Sequence, residues 1–156
     1  MPGRYGWIKV FQHVRLRSGF HQVFLHQDDS DKTAFITRRG MFKFKTMPFG
    51  LCNAVATFQR LMHLVLAGLN FDVCLVYLDD IILFSATPKE HLVRMEFVLQ
   101  RLREAHLKLK PSKCSLMQTE VSFLGHVVSA DGISTDPEKI SLVEHWPEPV
   151  NLRQVR

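Results

Sequence analysis

The stretch VYLDDIILF, residues 76–84, decides the fold, because two carboxylates stand side by side in the most hydrophobic segment of the chain. Asp79 and Asp80 interrupt two short runs of β-branched, aromatic and aliphatic residues. Such runs are typical of strands, so the pattern predicts a β-hairpin with the two carboxylates at its tip. Adjacent like charges repel, and a buried unpaired carboxylate is strongly unfavourable. The pair therefore needs a compensating positive charge.

Two interpretations of this pair stay open on the residues alone. Asp is common in turns because its side chain bonds nearby backbone, so a two-Asp tip can be purely structural. Tight hairpin turns prefer Asn-Gly or Asp-Gly, however, and this tip has no glycine. The flanking runs are apolar on both faces, which indicates a buried sheet, and Mg²⁺ takes carboxylate and phosphate oxygens as ligands. Metal binding and an ordinary turn are both retained.

Apolar residues at helical spacing predict two helices. The first begins after Asn53 as N-cap and ends at Gly68. The second begins at the sequence TPKE (residues 87–90), a capping box with proline at the first helical position. The face of the second helix that we expect to be buried carries Leu92, Met95, Leu99 and Leu102.

Strand patterns complete the predicted fold. Alternation with period two predicts a hairpin of residues 33–37 and 41–45 around a turn at residues 38–40. A further strand is predicted at residues 121–128, followed by a turn, and a short helix begins at Asp136. This order of elements is typical of an α+β fold in which helices cover one face of an antiparallel sheet.

Composition narrows the class of protein. The chain has 156 residues, of which 46% are hydrophobic and 22% charged, and a formal net charge of +5. These values are typical of a globular domain, and the positive charge suits a polyanionic partner such as nucleic acid. The three cysteines, Cys52, Cys74 and Cys114, form no CxxC pair and indicate a reducing compartment. No signal peptide or membrane-spanning run is present, so we expect an intracellular location and no membrane partner.

The surroundings of YLDD resemble a known family. KFKTMPFGLCNAVATFQRLM (residues 43–62) precedes it, and LKPSKC (109–114) and VSFLGHVVSADG (121–132) follow. In this order and spacing the motifs resemble the reverse transcriptases of gypsy-class LTR retrotransposons, from about Phe11 to the C-terminal end. The resemblance implies a two-layer polymerase palm with a partial fingers subdomain. It also implies RNA-directed DNA polymerisation with two Mg²⁺ or Mn²⁺ ions, an RNA or DNA template, a DNA primer and deoxynucleotide triphosphates.

The resemblance also assigns roles by position. Asp79 is implied to be the direct metal ligand and Asp80 its supporting partner, and Lys113 is implied to assist pyrophosphate departure. The remaining assignments are an aromatic gate under the nucleotide sugar (Phe20), a set that holds nucleotide and template (Phe49, Gly50 and Gln59) and a primer-gripping hairpin (Phe123, Leu124 and Gly125).

Each of these assignments has a structural alternative. Phe20 and Phe123 are equally typical of core aromatics, Lys113 of a solvated surface lysine and Gly125 of a turn or bulge.

One position departs from the family pattern. The family's third carboxylate belongs to a motif that reads D-L-x-S-G-Y/F-H-Q, and this chain reads RLRSGFHQ at residues 15–22. Arg15 thus removes a metal ligand and adds a permanent cation. We expect its guanidinium to form ion pairs with Asp79 and Asp80 and to repel Mg²⁺, which predicts a weak or inactive polymerase. Acidic residues of the loop at 28–31 are not expected to replace the missing carboxylate.

The predicted organisation is an atypical leader at residues 1–10, a reverse transcriptase domain at 11–135 with partial fingers at about 23–51, and a truncated start of thumb or connection at 136–156. Most of the fingers, the thumb and the ribonuclease H region are expected to be missing. Two alternatives to a defective enzyme remain: a relic fragment, and a binding module that holds nucleic acid or a protein. The binding module would use the basic residues Arg15, Arg17, Arg38, Arg39, Lys43 and Lys45.

Overall fold

A computed structural model describes residues 8–146 and Val150. Its strands are β1 (Val10–Arg15), β2 (Phe35–Thr37), β3 (Gly40–Phe42), β4 (Cys74–Tyr77), β5 (Asp80–Ser85), β6 (Ser115–Gln118), β7 (Glu120–Phe123), β8 (His126–Ser129) and β9 (Gly132–Thr135). Its helices are α1 (Gln27–Ser30), α2 (Ala54–Val65), α3 (Pro88–Glu104) and α4 (Pro137–Glu144), with 3₁₀ turns at Gly19–Gln22, Asp31–Thr33 and Pro111–Lys113.

A four-stranded antiparallel sheet forms the centre of the fold, in the order β4-β5-β1-β6. Strand β1 pairs with β5 from Val10 opposite Ser85 to Arg15 opposite Asp80. Helices α2 and α3 pack on one face of this sheet, where their core residues meet Val14, Ile81 and others from the strands. The predicted α+β palm, an antiparallel sheet with helices on one face, is confirmed.

The other face of the sheet carries the charged end of β1. Successive side chains of a strand point to opposite faces, so Phe11, His13 and Arg15 lie opposite the helices. The hairpin of β7 and β8 covers part of this face and buries Val121 against Phe11. Arg15 lies beyond that cover, at the end of β1.

Several elements differ from the sequence predictions. Strand β1 was not predicted, and residues 121–128 form two strands joined by a turn rather than one. In α3 the buried residues are His91, Val98 and Leu102, whereas Leu92 is 52% exposed, so its predicted burial is wrong. The buried face of α3 includes His91 because its imidazole finds polar partners on the strands of the sheet, Ser85 and Gln12.

Smaller findings concern the predicted absence of a membrane span, the cysteines and the predicted end segments. None of the helices in the described ranges has the length and apolar character that a membrane crossing requires. All three cysteines are free, but only Cys74 is buried, and burial raises its pKa to about 12. Most of the predicted leader and the last part of the predicted 136–156 segment lie outside the described residues. Ile8 and Val10, at the end of the predicted leader, are buried.

Candidate active site

The carboxylates lie where the sequence predicted them, at the tip of the hairpin formed by β4 and β5. Leu78 has a φ of 52°, in the left-handed region that is unfavourable by roughly 1–2 kcal/mol for residues with a side chain. Gln59 of α2 offsets this strain, since its Oε1 accepts from Leu78 N at 2.7 Å and its Nε2 donates to Val76 O at 3.2 Å. A side-chain amide thus holds the turn that other hairpins form with glycine.

Arg15 partly compensates the charge of the two carboxylates. Its Nε lies 3.3 Å from Asp80 Oδ1 and 3.6 Å from Asp79 Oδ2, which confirms the predicted ion pairs. The residue that sequence reasoning missed is His13, whose Nε2 lies 3.0 Å from the same Asp80 Oδ1. His13 is two residues before Arg15 and shares its strand face, so a correct prediction of β1 would have revealed it.

These four side chains are partly open to solvent. Arg15, Asp79, Asp80 and His13 are 38%, 31%, 21% and 18% exposed, respectively. Ion pairs at such exposure contribute little to stability, roughly 0–1 kcal/mol, but they do fix the positions of charges. The cluster is therefore accessible to ligands, and its two carboxylates are only partly neutralised by the one guanidinium.

The residues present do not fit a two-metal centre. In the part of the chain that the structure describes, no group of three or more His, Cys, Asp and Glu side chains could hold a metal ion. Two carboxylates converge at the hairpin tip, and a guanidinium lies where the family resemblance requires the third. A dication would have to displace that guanidinium before it could reach Asp79 and Asp80.

The predicted aromatic gate lies in the 3₁₀ turn that follows β1. The ring centroid of Phe20 is 5.3 Å from that of Phe58 and 5.5 Å from that of Phe49. Gly19 permits this packing, because a Cβ there would lie 2.5 Å from Phe58 Cζ. The structure thus brings two predicted nucleotide-binding residues, Phe20 and Phe49, into contact.

Of the other two members of that set, Gly50 lies beside Phe49 and Gln59 lies apart. Gly50 and Phe49 line a cavity of about 450 Å³, together with residues of the predicted fingers such as Lys32 and Phe44. Gln59 does not line this cavity and has both ends of its amide occupied by the hairpin backbone. In this structure the role of Gln59 is to hold the carboxylate hairpin.

Lys113 lies in the 3₁₀ turn Pro111–Lys113. Lys110, the residue just before this turn, is hydrogen-bonded to the end of β1. Lys110 N donates to Arg15 O at 2.8 Å, and Lys113 N donates to Lys110 O at 2.9 Å. The side chain of Lys113 is exposed and makes no hydrogen bond or ion pair among the residues that the structure describes. The ammonium is thus solvated in this structure.

The predicted primer-gripping residues lie at the end of β7 (Phe123) and in the turn between β7 and β8 (Leu124 and Gly125). Leu124 and Gly125 have φ values of 51° and 78°, so the turn is left-handed at both residues. Phe123 meets His13 edge to face, with ring centroids 6.5 Å apart. His13 therefore connects this hairpin to the carboxylate cluster.

The architecture and the carboxylate-tipped hairpin define the class of a polymerase palm. Residues 8–128 match the family model described as reverse transcriptase (RNA-dependent DNA polymerase). The chain is 42% identical, over 99% of its length, to the retrovirus-related Pol polyprotein from transposon 297 of Drosophila melanogaster. It covers 14% of that relative. It is 37% identical, over 97% of its length, to the Pol polyprotein from the gypsy transposon of the same organism, of which it covers 15%.

Solved structures agree. The foamy viral protease-reverse transcriptase dRH in complex with double-stranded DNA superposes with a TM-score of 0.88 and 26% identity, over 94% of this chain and 26% of the other. The foamy viral enzyme in complex with an RNA/DNA hybrid gives a TM-score of 0.85 over 98% of this chain and 21% of the other. This chain belongs to the reverse transcriptase family, and it spans about one seventh of the length of these curated transposon relatives.

Proposed function

We propose that this chain is the palm of an RNA-directed DNA polymerase whose catalytic centre is closed by a salt bridge. The observation that carries the proposal is the contact of the Arg15 guanidinium with both Asp79 and Asp80. As it stands, the chain is a weak or inactive polymerase, because the carboxylates that would hold Mg²⁺ or Mn²⁺ are already paired.

Charge explains why this change is severe. A guanidinium does not lose its proton in proteins, so the positive charge of Arg15 persists at every pH at which the fold survives. Its presence lowers the affinity of the site for a dication in two ways: one carboxylate is absent, and the two that remain are partly neutralised. His13 adds a second partner for Asp80.

The relatives indicate the partners that we propose. Solved foamy viral relatives are in complex with double-stranded DNA and with an RNA/DNA hybrid. We therefore propose a primer–template duplex as the partner, contacted by the turn of Phe123, Leu124 and Gly125. Deoxynucleotide triphosphates would approach Phe20, Phe49 and Gly50, with Lys113 near the leaving group.

A primer-extension assay tests the proposal. The chain is placed in an otherwise complete polyprotein enzyme and assayed with Mg²⁺ and Mn²⁺. We expect little synthesis from the native sequence and a gain of at least about tenfold, or 1.4 kcal/mol, from Arg15→Asp. Arg101→Asp, an equal charge change on an exposed part of α3, should give no gain. Robust synthesis by the native sequence that Asp79→Asn abolishes would overturn the proposal.

Metal affinity gives a second readout that does not depend on turnover. Titration calorimetry with Mn²⁺ should show weak or no binding to the native chain and measurable binding after Arg15→Asp. His13→Ala in the repaired chain should strengthen binding further, since Asp80 then loses a competing partner.

A binding module is the second candidate, favoured by the contacts of Arg15 with both carboxylates, which partly neutralise the cluster without a metal. Arg17, Arg38, Arg39 and Lys45 are exposed, whereas Lys43 is already bonded to Asp31. Binding of nucleic acid that weakens with salt and does not change with Mg²⁺ would favour this candidate. A relic would instead show no cooperative unfolding transition.

A further inference from the structure

The hairpin of β2 and β3 is separate from the central sheet. Within the described residues these two strands pair only with each other, with Phe35 opposite Phe42 and Ile36 opposite Met41. Every residue of both strands is exposed. A two-stranded hairpin is marginally stable in water unless one of its faces packs against another element. The composition of its two faces therefore indicates where a further contact would form.

Only one face of the hairpin packs on its own side chains. The rings of Phe35 and Phe42 stack with centroids 5.9 Å apart, and the centroid of Phe35 lies 5.4 Å from that of Phe44. On the opposite face, Ile36 and Met41 are 83% and 73% exposed. Residues directly opposite each other in antiparallel strands are neighbours on one face, so these two form a single apolar patch, which we call the bare face. Exposed apolar patches mark interaction sites.

The orientation of the bare face is fixed at both ends of the hairpin. At the base, Ser30 Oγ donates to Phe44 O at 2.7 Å, and Phe44 N donates to Thr33 Oγ1 at 3.0 Å. At the tip, Arg39 N donates to Thr37 Oγ1 at 3.1 Å. A surface that is ordered before it binds loses less conformational entropy when its partner arrives.

The tip of the hairpin is purely cationic. Its two-residue turn consists of Arg38 and Arg39. Both side chains are exposed, and neither makes an ion pair within the part of the chain that the structure describes. Two such tips placed side by side would repel each other, because like charges in close contact are unfavourable. Any contact between two hairpins therefore has to keep the tips apart.

The base of the hairpin, in contrast, contains carboxylates. Asp29 and Asp31 are each paired with a lysine, and Lys45 adds a further exposed cation. The side chain of Asp28 is 88% exposed, and its neighbour is the His26 imidazole at 3.4 Å. An imidazole is charged only when it is protonated. Asp28 is thus the carboxylate of the base that is most available to a cation from another molecule.

We propose that this chain self-associates through the bare face, as a twofold dimer of two hairpins packed face to face. In such an interface the same patch of both copies is buried. Hairpins that point the same way would bring four arginines together. Hairpins that point opposite ways place each arginine tip over the carboxylates of the other copy's base. The charges therefore select the second arrangement, in which Ile36 meets Ile36 of the other copy and Asp28 lies nearest the tip.

The small size of the hairpin sets the strength of this dimer. A standard interface buries roughly 800 Å² on each partner, and a hairpin of six strand residues buries less. We therefore expect a weak, reversible dimer that forms as the concentration of the chain rises. The proposal does not rest on polymerase activity, because the hairpin contains none of the carboxylates of the candidate active site.

Sedimentation equilibrium of the full chain from about 10 to 500 μM, after nuclease treatment, tests the proposal. We expect a monomer–dimer equilibrium whose dissociation constant rises at least about tenfold in Ile36→Lys. Leu64→Lys is the matched control, since Leu64 is a 68% exposed apolar side chain on α2, and should leave the equilibrium unchanged. Circular dichroism and thermal unfolding show that each variant is folded.

Charge reversal tests the orientation of the two hairpins. A chain with Arg38→Glu and Arg39→Glu should self-associate less than the native chain, and so should a chain with Asp28→Lys. An equimolar mixture of these two variants should recover the dimer, because each tip then faces a base of opposite charge.

Several outcomes would overturn the proposal. They are a monomer at every concentration, an equal loss in Leu64→Lys, association that charge reversal leaves unchanged, and no recovery in the mixture. Association that nuclease treatment abolishes would do the same, because nucleic acid would then bridge the copies.

Discussion

The two faces of strand β1 carry polar residues of opposite character. Toward the helices, Gln12 Oε1 lies 3.3 Å from His91 Nε2, and His91 Nδ1 lies 2.9 Å from Ser85 Oγ. All three side chains are fully buried. On the other face, one residue further along, His13 begins the charged cluster that faces solvent.

This difference shows what burial permits. Burial lowers the pKa of His91, as does the nearby charge of Arg94, so the imidazole is favoured as a neutral group with neutral partners. The opposite face retains guanidinium and carboxylate groups because water reaches them. A closed neutral network is suited to holding α3 against the sheet, whereas an open charged cluster is suited to exchanging partners.

The largest effect that we expect comes from breaking the closed network. His91→Leu leaves the Gln12 side-chain oxygen buried without its partner, and should lower the free energy of unfolding by about 2–3 kcal/mol. Urea denaturation followed by circular dichroism measures the change. His13→Leu, the matched substitution on the open face, should cost under about 1 kcal/mol.

A double variant separates the loss of the hydrogen bond from the loss of packing. Replacing both partners of a buried hydrogen bond by apolar groups can be nearly neutral. Gln12→Leu combined with His91→Leu should therefore recover part of the stability that His91→Leu loses. If the double variant lost more free energy of unfolding than the two single variants lose in total, this account would be contradicted.

The buried network should also make the free energy of unfolding depend on pH. The pKa of His91 is lowered in the folded chain from an ordinary value of 6.5, so the unfolded chain binds its proton first as pH falls. The contribution of the neutral imidazole is complete above about pH 6.5 and is lost below it, at up to about 1.4 kcal/mol per pH unit. Denaturation at pH 7.5 and 5.0 measures the loss, which His91→Leu should reduce.

The sequence predicted the open face better than the closed one. The tip of VYLDDIILF lies between two clear strand patterns, and Arg15 stands out against the family motif, so both were found. Strand β1 was missed because Gln12 and His13 are consecutive polar residues, which resembles a loop. The partner of Gln12 is His91, 79 residues away, and the partner of His13 is Asp80, 67 residues away. Local patterns carry no information about such partners.

A smaller loss of stability is expected from changing Gln59, the α2 side chain that holds the carboxylate hairpin. Gln59→Leu removes two hydrogen bonds to the hairpin backbone and leaves Leu78 in a strained conformation, which should cost about 1–2 kcal/mol. Amide hydrogen exchange should rise first at Leu78. Gln59→Glu retains an oxygen acceptor and is the control. Unchanged exchange at Leu78 in Gln59→Leu would mean that the hairpin holds its own turn.

The smallest effect should come from Arg15 itself. Arg15→Gln removes a partly exposed ion pair, so the free energy of unfolding should change by less than about 1 kcal/mol. Because the Debye length is only about 3 Å in 1 M salt, the difference between the variant and the native chain should shrink further there. A loss of 3 kcal/mol or more that persists in high salt would instead mark a desolvated ion pair. The charged face would then be desolvated, like the network beneath the helices. Arg15 would be a structural residue, and Arg15→Asp alone would not restore a metal site.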